Sequence, residues 1–274
     1  MSKIPLIPSL DYERDLLIKG YDFVIGIDEV GRGSLAGPVM VGAAILGASE
    51  INLENVMPEG LADSKLLTER KREALYEPLK NWCSAYSVGS CTNREIDDWG
   101  IEYSLGIAAL KAISSAQENL IKNINNAKNI NSITNTNSTN NANSINNANN
   151  ANKNLNEFES NLLNKIVKHN KMAVILDGPY DYIHKVFNTF DAPILPVSID
   201  VNTLVKADRK CASVAAASVI AKVTRDHMMI DYAGLEKYAV YDWAHNKGYG
   251  SAAHREAISK YGASDLHRIS WHLS

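Results

Sequence analysis

Cysteine is scarce in this sequence, and an excess of positive charge is absent. Only three cysteines occur in 274 residues, Cys83, Cys91 and Cys211, and no two of them form a CxxC pair. Three cysteines cannot all pair with one another, so we expect reduced thiols and a cytoplasmic protein. The formal net charge of −3 argues against a protein that coats nucleic acid non-specifically. It remains compatible with an enzyme that has a local basic groove around an acidic centre.

Long apolar runs are also missing. The N-terminus, MSKIPLIPSLDYERD, has no extended apolar segment, and no run elsewhere reaches membrane-spanning length. We therefore predict a protein without a membrane partner. Hydrophobic residues make up 45% of the chain, which is ordinary for a globular protein and enough for a sizeable core. The length suits one large domain over residues 1–274, with a monomer as the default expectation.

An asparagine-rich tract interrupts the middle of the chain. From Asn123 to Asn156, 17 of 34 residues are Asn, and the tract carries only two charges, both lysines. Such a segment buries little apolar area to offset its ordering entropy, so we predict a disordered insertion at about 123–156. An arm that contacts RNA or self-associates is the functional alternative. A helical pattern resumes at Phe158–Lys168, so the tract is not predicted to be a domain boundary.

Short apolar runs and helical patterns alternate along the rest of the chain, which predicts an α/β fold. We predict five strands, at Phe23–Ile27, Pro38–Leu46, Ala85–Cys91, Met172–Leu176 and Ile194–Ile199. Helices are predicted at Asp11–Gly20, after an N-cap at Thr68, and at Asn93–Trp99, Ile101–Ile121 and Cys211–Asp226. Pro78 is expected to kink or shorten the helix that Thr68 begins. The last of these helices has a face of small residues, which predicts close packing on the sheet.

Two predicted strands end in carboxylates. Asp28 and Glu29 follow the first strand, Asp177 follows the fourth, and Asp208 precedes the last long helix. Ligands usually gather at the carboxyl ends of strands in α/β sheets. Neighbouring strand residues point to opposite faces, so Asp28 and Glu29 serve one site only if the strand ends or twists there. The glycine at Gly31 permits such a break. An N-capping Asp before a turn is the alternative interpretation of this stretch.

Four carboxylates at one edge would repel one another unless cations lay between them. Oxygen ligands favour Mg²⁺ or Mn²⁺, and two such ions about 4 Å apart would clamp the attacking water and the leaving oxygen of a phosphodiester. Basic residues lie in the same loops, which favours a phosphate backbone across the site over ordinary surface charge. They are Arg32, Lys65, Lys206, Arg209 and Lys210.

Five segments together resemble the type 2 ribonuclease H family, ribonuclease HII. They are GIDEVGRGSLAGPV, LADSKLLTERKREALY, ILDG, VKADRKCASVAAASVIAKVTRD and NKGYGSAAHREAI, within residues 21–48, 60–121 and 171–271 and in the order of the family. The resemblance implies a ribonuclease H-like α/β fold. Its central mixed five-stranded sheet is flanked by helices, with a small helical C-terminal extension at about 227–274.

The resemblance also implies a function. It indicates an endonuclease that depends on Mn²⁺ or Mg²⁺ and hydrolyses the RNA strand of RNA–DNA hybrids, leaving 3′-hydroxyl and 5′-phosphate ends. It further implies incision 5′ of single ribonucleotides embedded in duplex DNA. The catalytic, metal-binding acids would be Asp28, Glu29, Asp177 and Asp208. The substrate-binding residues would be Gly31, Arg32 and Gly33, which sense the 2′-hydroxyl, together with Lys65 and the sugar-contacting Tyr249.

The sequence departs from the family at three places. Ala207 stands where bacterial members often have glycine, the asparagine-rich tract has no family counterpart, and no PCNA-binding or clamp-binding tail follows Arg268. Ribonuclease HIII is a related alternative, but only some twenty residues precede the first predicted strand. A catalytically inactive hybrid-binding module would be expected to lack one of the acids. A nucleotide-dependent enzyme using GRGSLAG as a phosphate loop would be expected to continue into GxxxxGK[ST].

Overall fold

A mixed sheet forms the centre of the computed structural model, which describes residues 7–52, 56–136 and 171–273. Its five strands lie in the order β3-β2-β1-β4-β5. They are β1 (Val24–Val30), β2 (Val39–Leu46), β3 (Ala85–Cys91), β4 (Met172–Asp177) and β5 (Ile199–Leu204). The first three strands pair antiparallel, whereas β4 runs parallel to β1 and β5 parallel to β4. The predicted five-stranded mixed sheet is therefore confirmed.

Helices cover both faces of this sheet. They are α1 (Asp11–Ile18), α2 (Ala48–Ile51), α3 (Glu69–Trp82), α4 (Asn93–Trp99), α5 (Ile101–Thr136), α6 (Ala212–Ala233), α7 (Trp243–Asn246) and α8 (Ala252–Tyr261). Short 3₁₀ turns lie at Ser64–Leu66, His184–Val186, Ala207–Arg209 and Glu236–Tyr241. No helix within the described ranges is long and apolar enough to cross a membrane.

Helix α6 lies directly against one face of the sheet, as its small residues predict. A Cβ atom added at Gly26 would fall 2.2 Å from the backbone carbon of Ser213, and one at Gly42 would fall 2.4 Å from the carbonyl oxygen of Ala217. Only glycine allows a helix backbone to approach strands this closely. The packing fixes α6 behind the carboxyl end of β1.

Helix α5 covers the opposite face and is longer than predicted. It continues to Thr136, so residues 123–136 of the asparagine-rich tract are helical and the predicted insertion begins too early. Extending a helix costs far less than starting one. Tertiary contacts also hold the start of this extension, because Ile124 packs on the core and the side chain of Asn123 donates to the carbonyl of Ser84. Residues 137–156 and the predicted helix at Phe158–Lys168 lie outside the described residues.

The fifth strand was predicted in the wrong place. The apolar run that begins at Ile194 is not strand, and β5 starts only at Ile199. Pro196 lacks the amide that a ladder needs, and Ile194 is 93% exposed. Strand β5 is mostly only partly buried, in keeping with its position at the edge of the sheet. Helix α3 runs through Pro78 and reaches Trp82, so Pro78 does not shorten it, and a kink at Pro78 stays a prediction.

The C-terminal part packs beside the loop that joins β1 to β2. Helix α6 extends seven residues past its predicted end at Asp226, so the predicted extension at 227–274 begins inside a sheet-covering helix. Beyond it, a small aromatic core forms around Trp243 and includes Tyr238 and Tyr241. Leu35 and Ala36 from the β1–β2 loop complete this core. The extension is thus joined to the loop that follows the first pair of acids.

Candidate active site

The first two acids lie inside β1. The strand was predicted to end at Ile27, but its pairing with β2 continues through Val30. Asp28 and Glu29 therefore leave opposite sides of the strand. The two carboxylates nevertheless interact, because the charge of Glu29 adds to burial in raising the pKa of Asp28. Asp28 is only 3% exposed and lies toward α6, where the hydroxyl of Ser218 stabilises its charged form. Glu29 lines a small cavity on the α5 face.

The loop that follows β5 contains one of the other two acids and holds the second. Asp177 is the last residue of β4, and its Oδ1 accepts a 2.7 Å hydrogen bond from the backbone amide of Ala207. Asp208 follows in the 3₁₀ turn and is buried. The left-handed backbone conformation in this loop falls on Lys206, with φ of 60°, and not on Ala207. Alanine at position 207 therefore costs no backbone strain, and this departure from the family is accommodated.

The acids influence one another electrostatically. Burial, followed by the charge of Glu29, raises the pKa of Asp28 well above its ordinary value. Burial and the charge of Asp177 raise the pKa of Asp208 to about 6. Burial opposes the charge of Lys65, yet the charges of Asp28 and Asp208 outweigh it and raise the pKa of the lysine. The predicted acids and Lys65 thus share one electrostatic environment.

The donor set at this edge fits a hard divalent cation. The candidate ligands are all carboxylates. Burial first, and then the charges of neighbouring acids, raise the pKa values of Asp28 and Asp208, and a cation would relieve the repulsion among these acids. In the described part of the chain, however, no three His, Cys, Asp or Glu side chains converge into a ready-made ligand shell. Asp177 is held by Ala207, and Glu29 lies 3.4 Å from Arg32. Both acids therefore currently have partners within the protein.

Asp63 contributes to the site although no role for it was predicted. It is 1% exposed, and its two oxygens accept hydrogen bonds from the backbone amide of Lys65, at 2.9 Å, and from Nε of Arg209, at 3.2 Å. Asp63 thereby links the loop of Lys65 to the loop of Asp208. The hydrogen bond to Lys65 has a local sequence signal, since an Asp commonly accepts from the amide two residues later in a turn. The hydrogen bond to Arg209 has no such signal, because Arg209 is distant in the sequence.

The glycine loop after β1 meets the C-terminal extension. The backbone amide of Gly31 donates to the hydroxyl of Tyr249 at 3.2 Å. Gly31 has φ of +80°, and a Cβ atom there would fall 2.3 Å from Nε of Arg225, so only glycine fits. Gly33 faces open space, since an added Cβ would meet nothing within 4 Å. Arg32 is half exposed beside Glu29. The predicted substrate-binding residues Gly31 and Tyr249 are thus in direct contact.

Arg225 was missed by the sequence analysis. This residue of α6 is fully buried and donates to the carbonyl oxygens of Ala36, Pro38 and Lys247 at 2.9–3.1 Å. Its guanidinium carbon also lies 5.5 Å from the centre of the Tyr249 ring. It therefore joins the β1–β2 loop to the segment that carries the tyrosine. No sequence signal identifies it, because its partners are backbone carbonyls that any residue supplies.

Comparison with known proteins identifies the family of this chain. Residues 25–274 match the family model described as Ribonuclease HII. The chain belongs to the ribonuclease HII family. The Ribonuclease HII of Streptomyces griseus is 35% identical over 266 residues, covering 96% of this chain and 84% of that protein. That of Bacillus licheniformis is 32% identical over 260 residues, covering 95% and 73%. The chain is accordingly a ribonuclease H enzyme.

Solved structures agree with the fold of this chain. The ribonuclease H2 of Pyrococcus horikoshii OT3 aligns with a TM-score of 0.51 at 23% identity, covering 92% of this chain and 94% of that one. Ribonuclease HII from the PCNA:RNase HII complex of Archaeoglobus fulgidus aligns with a TM-score of 0.53 at 20% identity, covering 92% and 96%. At these identities the likeness concerns the fold alone. It supports the ribonuclease H-like α/β sheet described above.

A small cavity adjoins two of the acids on the α5 face of the sheet. It measures about 90 Å³, and its lining includes Glu29, Arg32, Asp177, Tyr182 and Lys185. The hydroxyl of Tyr182 is buried and has no hydrogen-bond partner among the described residues. Burial, followed by the charge of Glu29, raises the pKa of this tyrosine well above its ordinary value. The cavity is an unpredicted part of the site.

Proposed function

We propose that this ribonuclease H hydrolyses the RNA strand of RNA–DNA hybrids and incises 5′ of single ribonucleotides embedded in duplex DNA. The observation that carries the proposal is the contact between Tyr249 and the amide of Gly31, next to the strand that bears Asp28 and Glu29. An aromatic ring and a close backbone approach are suited to reading a sugar. The adjacent carboxylates are suited to cutting its phosphodiester.

The same proposal assigns the acids as metal ligands. Asp28, Glu29, Asp177 and Asp208 would hold one or two Mn²⁺ or Mg²⁺ ions, in keeping with their all-oxygen chemistry and with the raised pKa values of Asp28 and Asp208. Such ions supply an activated water nucleophile and neutralise charge at the leaving oxygen. On this assignment Ala207 orients the Asp177 carboxylate through its backbone amide.

Basic side chains would hold the substrate backbone. Lys65 lies among the acids, and their charges raise its pKa and keep it cationic. It can therefore also contact a phosphate oxygen next to the scissile bond. Arg32 is half exposed and only 3.4 Å from Glu29, a long and solvent-screened ion pair. The guanidinium can therefore turn from Glu29 to a phosphate when the carboxylate is taken up as a ligand. Both cations would position the strand for cleavage.

Discrimination of RNA from DNA rests on the 2′-hydroxyl, the one group that distinguishes the two sugars at a given position. Gly31 and Gly33 let the backbone come within hydrogen-bonding distance of this small group. Tyr249, held by Gly31, would lay its ring on the same sugar. These glycines and the tyrosine therefore form the proposed ribonucleotide-reading surface.

A monomer in the cytoplasm completes the proposal. Cys83, Cys91 and Cys211 are free and buried, which is in keeping with a reducing compartment. Size-exclusion chromatography with light scattering measures the oligomeric state directly. A stable dimer at micromolar concentration would contradict this part of the proposal without affecting the chemistry.

The decisive experiment uses an end-labelled DNA duplex with one embedded ribonucleotide. We expect a single cut on its 5′ side in Mn²⁺ or Mg²⁺ and none in EDTA, with an all-DNA duplex and a long RNA–DNA hybrid assayed in parallel. Cleavage restricted to the long hybrid would favour a ribonuclease HIII-like specificity. Tight binding of both substrates without any cleavage would indicate an inactive hybrid-binding protein and overturn the proposal.

A further inference from the structure

The segment after α8 returns to the glycine loop and places a buried arginine on it. Arg268 is fully buried. Its Nη2 donates to the carbonyl of Gly31 at 2.6 Å, its Nη1 to that of Arg32 at 2.9 Å, and its Nε and Nη2 to that of Gly37 at 3.2 and 3.1 Å. One guanidinium therefore spans both ends of the β1–β2 loop.

This arrangement requires arginine. Burying a cation is costly unless its donors are satisfied, and here three carbonyl oxygens receive them. A guanidinium holds its donors in a rigid planar fork, whereas the ammonium of lysine is a point charge with freely rotating protons. Lysine at position 268 could reach one carbonyl of the loop but could not fix two successive ones, those of Gly31 and Arg32.

Fixing these two carbonyls also orients two amides. In a planar trans peptide, the carbonyl of one residue and the N–H of the next point in opposite directions. Because the carbonyls of Gly31 and Arg32 point inward to Arg268, the N–H groups of Arg32 and Gly33 point away from it. Gly33 also has open space where a side chain would stand. The buried guanidinium thus presents two backbone donors at the proposed ribonucleotide-reading surface.

Helix α4 determines where Arg268 lies. The side chain of Asn93 donates to the carbonyls of Asp265 and His267, both at 3.0 Å. The carboxylate of Asp97 accepts the backbone amides of Ile269 and Ser270, also at 3.0 Å. Hydrogen bonds therefore hold the backbone immediately before and after Arg268. The two side chains that make them lie one helical turn apart on α4.

We propose that Arg268 is a positioning residue for ribonucleotide recognition, and that α4 sets its position through Asn93 and Asp97. It does not touch the substrate. It acts by holding the amides of Arg32 and Gly33 in the direction from which a 2′-hydroxyl or its neighbouring phosphate approaches. This inference rests on the proposed function, because it concerns the same sugar-reading surface.

The test compares Arg268→Lys with wild type on two 20-base-pair duplexes, one with a single ribonucleotide and one all DNA. Affinities are measured by fluorescence anisotropy in EDTA, and cleavage of the first duplex is measured in Mn²⁺. We expect kcat/KM to fall by about tenfold or more, as for other lost positioning contacts. We also expect the affinity ratio between the ribonucleotide and all-DNA duplexes to approach one. Arg255→Lys is the matched control, since the hydrogen bonds of Arg255 go to the carbonyls of His272 and Leu273 and not to those of Gly31, Arg32 and Gly37.

Asp97→Asn provides a second route if Arg268→Lys folds poorly, because it leaves the arginine in place and weakens only one of its two anchors. We expect the same loss of ribonucleotide preference at a melting temperature close to that of wild type. A lowered melting temperature with an unchanged affinity ratio in either variant would make Arg268 merely structural and overturn the inference. Failure of wild type itself to cut the ribonucleotide duplex would instead overturn the proposed function.

Discussion

The hydroxyl of Tyr249 lies 3.2 Å from the backbone nitrogen of Gly31, a residue 218 positions earlier in the chain. A tyrosine oxygen that accepts from a glycine amide keeps its own proton for another acceptor. The contact therefore fixes the ring and leaves one donor available. Arg225 and Lys222 also hold the ring. Their cationic groups lie over it, at 5.5 and 5.6 Å from its centre, where they are attracted to its electron-rich face.

This contact predicts how Tyr249 variants behave. Tyr249→Ala should weaken cleavage at a single embedded ribonucleotide more than it weakens binding of the duplex, because both the ring and the hydroxyl are lost. Tyr249→Phe should recover part of the activity through stacking on the sugar. Steady-state kinetics on the ribonucleotide duplex, with anisotropy for binding, measure both effects. Equal rates for Tyr249→Ala and wild type would rule out the assigned role.

Asp177→Asn should nearly abolish cleavage while leaving the fold intact. Asparagine keeps an oxygen to accept the amide of Ala207, but it loses the charge of a candidate metal ligand. Removing that charge also relieves repulsion on Asp208. The melting temperature should accordingly stay unchanged or rise. Cleavage assays and thermal unfolding test the two halves of this prediction.

Asp200→Asn is the matched control for that variant. Asp200 lies near the other end of the sheet, in β5, and bonds to Tyr21 and Lys171. Its loss should lower stability slightly and leave the rate of cleavage unchanged. Wild-type turnover by Asp177→Asn at saturating metal would show that this acid is not a ligand.

Two deletions of the asparagine-rich tract should differ in stability. Removing residues 137–156 should leave activity and melting temperature unchanged, because loop-closure entropy grows only logarithmically with length. Removing residues 123–156 also deletes the bond from Asn123 to Ser84 and the packing of Ile124. Losing about 1 kcal/mol there should lower the melting temperature by about 2–4 °C. Differential scanning fluorimetry distinguishes the two, and equal melting temperatures would place the helix end outside the stable core.

The hydroxyl of Tyr182 should be dispensable for folding. It is buried without a partner among the described residues, and an unmade hydrogen bond costs roughly 1 kcal/mol or more. Tyr182→Phe keeps the ring in the core and removes only this cost, so its melting temperature should rise by about 2–4 °C. Tyr21→Phe is the control, because that hydroxyl donates to Asp200 at 3.0 Å and its loss should destabilise. A fall in melting temperature for Tyr182→Phe would mean that the hydroxyl has a partner in solution.

Local sequence signals were sufficient for the elements that carry the acids. Asp177 follows an apolar run and precedes glycine, and the run is β4. Thr68 is followed by Glu69 and a helical pattern, and its hydroxyl does cap α3. These features depend on neighbours in sequence, so a single sequence reveals them. The strand boundary at Asp28 was wrong because pairing with β2 depends on backbone groups, which continue past the apolar run.

Long-range contacts to the backbone left no such signal. Arg225 and Arg268 bind carbonyl oxygens, and a carbonyl has the same chemistry whichever residue carries it. Asp63 resembled an ordinary turn residue because its partner, Arg209, is 146 positions away. The resemblance to a family supplied Tyr249 but none of these three. The parts of the site that hold the glycine loop in place thus became visible only in three dimensions.

Two buried histidines link the aromatic core to the loop of Tyr249. His254 Nε2 accepts a hydrogen bond from the indole N–H of Trp243 at 3.0 Å, and it lies 3.1 Å from His267 Nε2. The other ring nitrogen of His254, Nδ1, lies 2.9 Å from the carbonyl oxygen of Tyr249. His267 Nδ1 accepts from the amide of Ser264 at 2.8 Å. These partners assign the proton to Nδ1 of His254 and to Nε2 of His267. Both rings are therefore neutral in the folded protein.

This arrangement predicts a loss of stability in mild acid. Burial, followed by the nearby His254, lowers the pKa of His267 from 6.5 to about 4. A histidine with a lowered folded pKa contributes stability above its unfolded pKa, and that stability is lost as the pH falls from about 6.5 toward 4. The full contribution is roughly 3 kcal/mol. His267→Asn keeps an acceptor for Ser264 but cannot titrate, so its melting temperature should fall less than that of wild type between pH 7.5 and pH 5. Parallel slopes for the two proteins over this interval would show that His267 is already protonated in the native state or is not buried in solution.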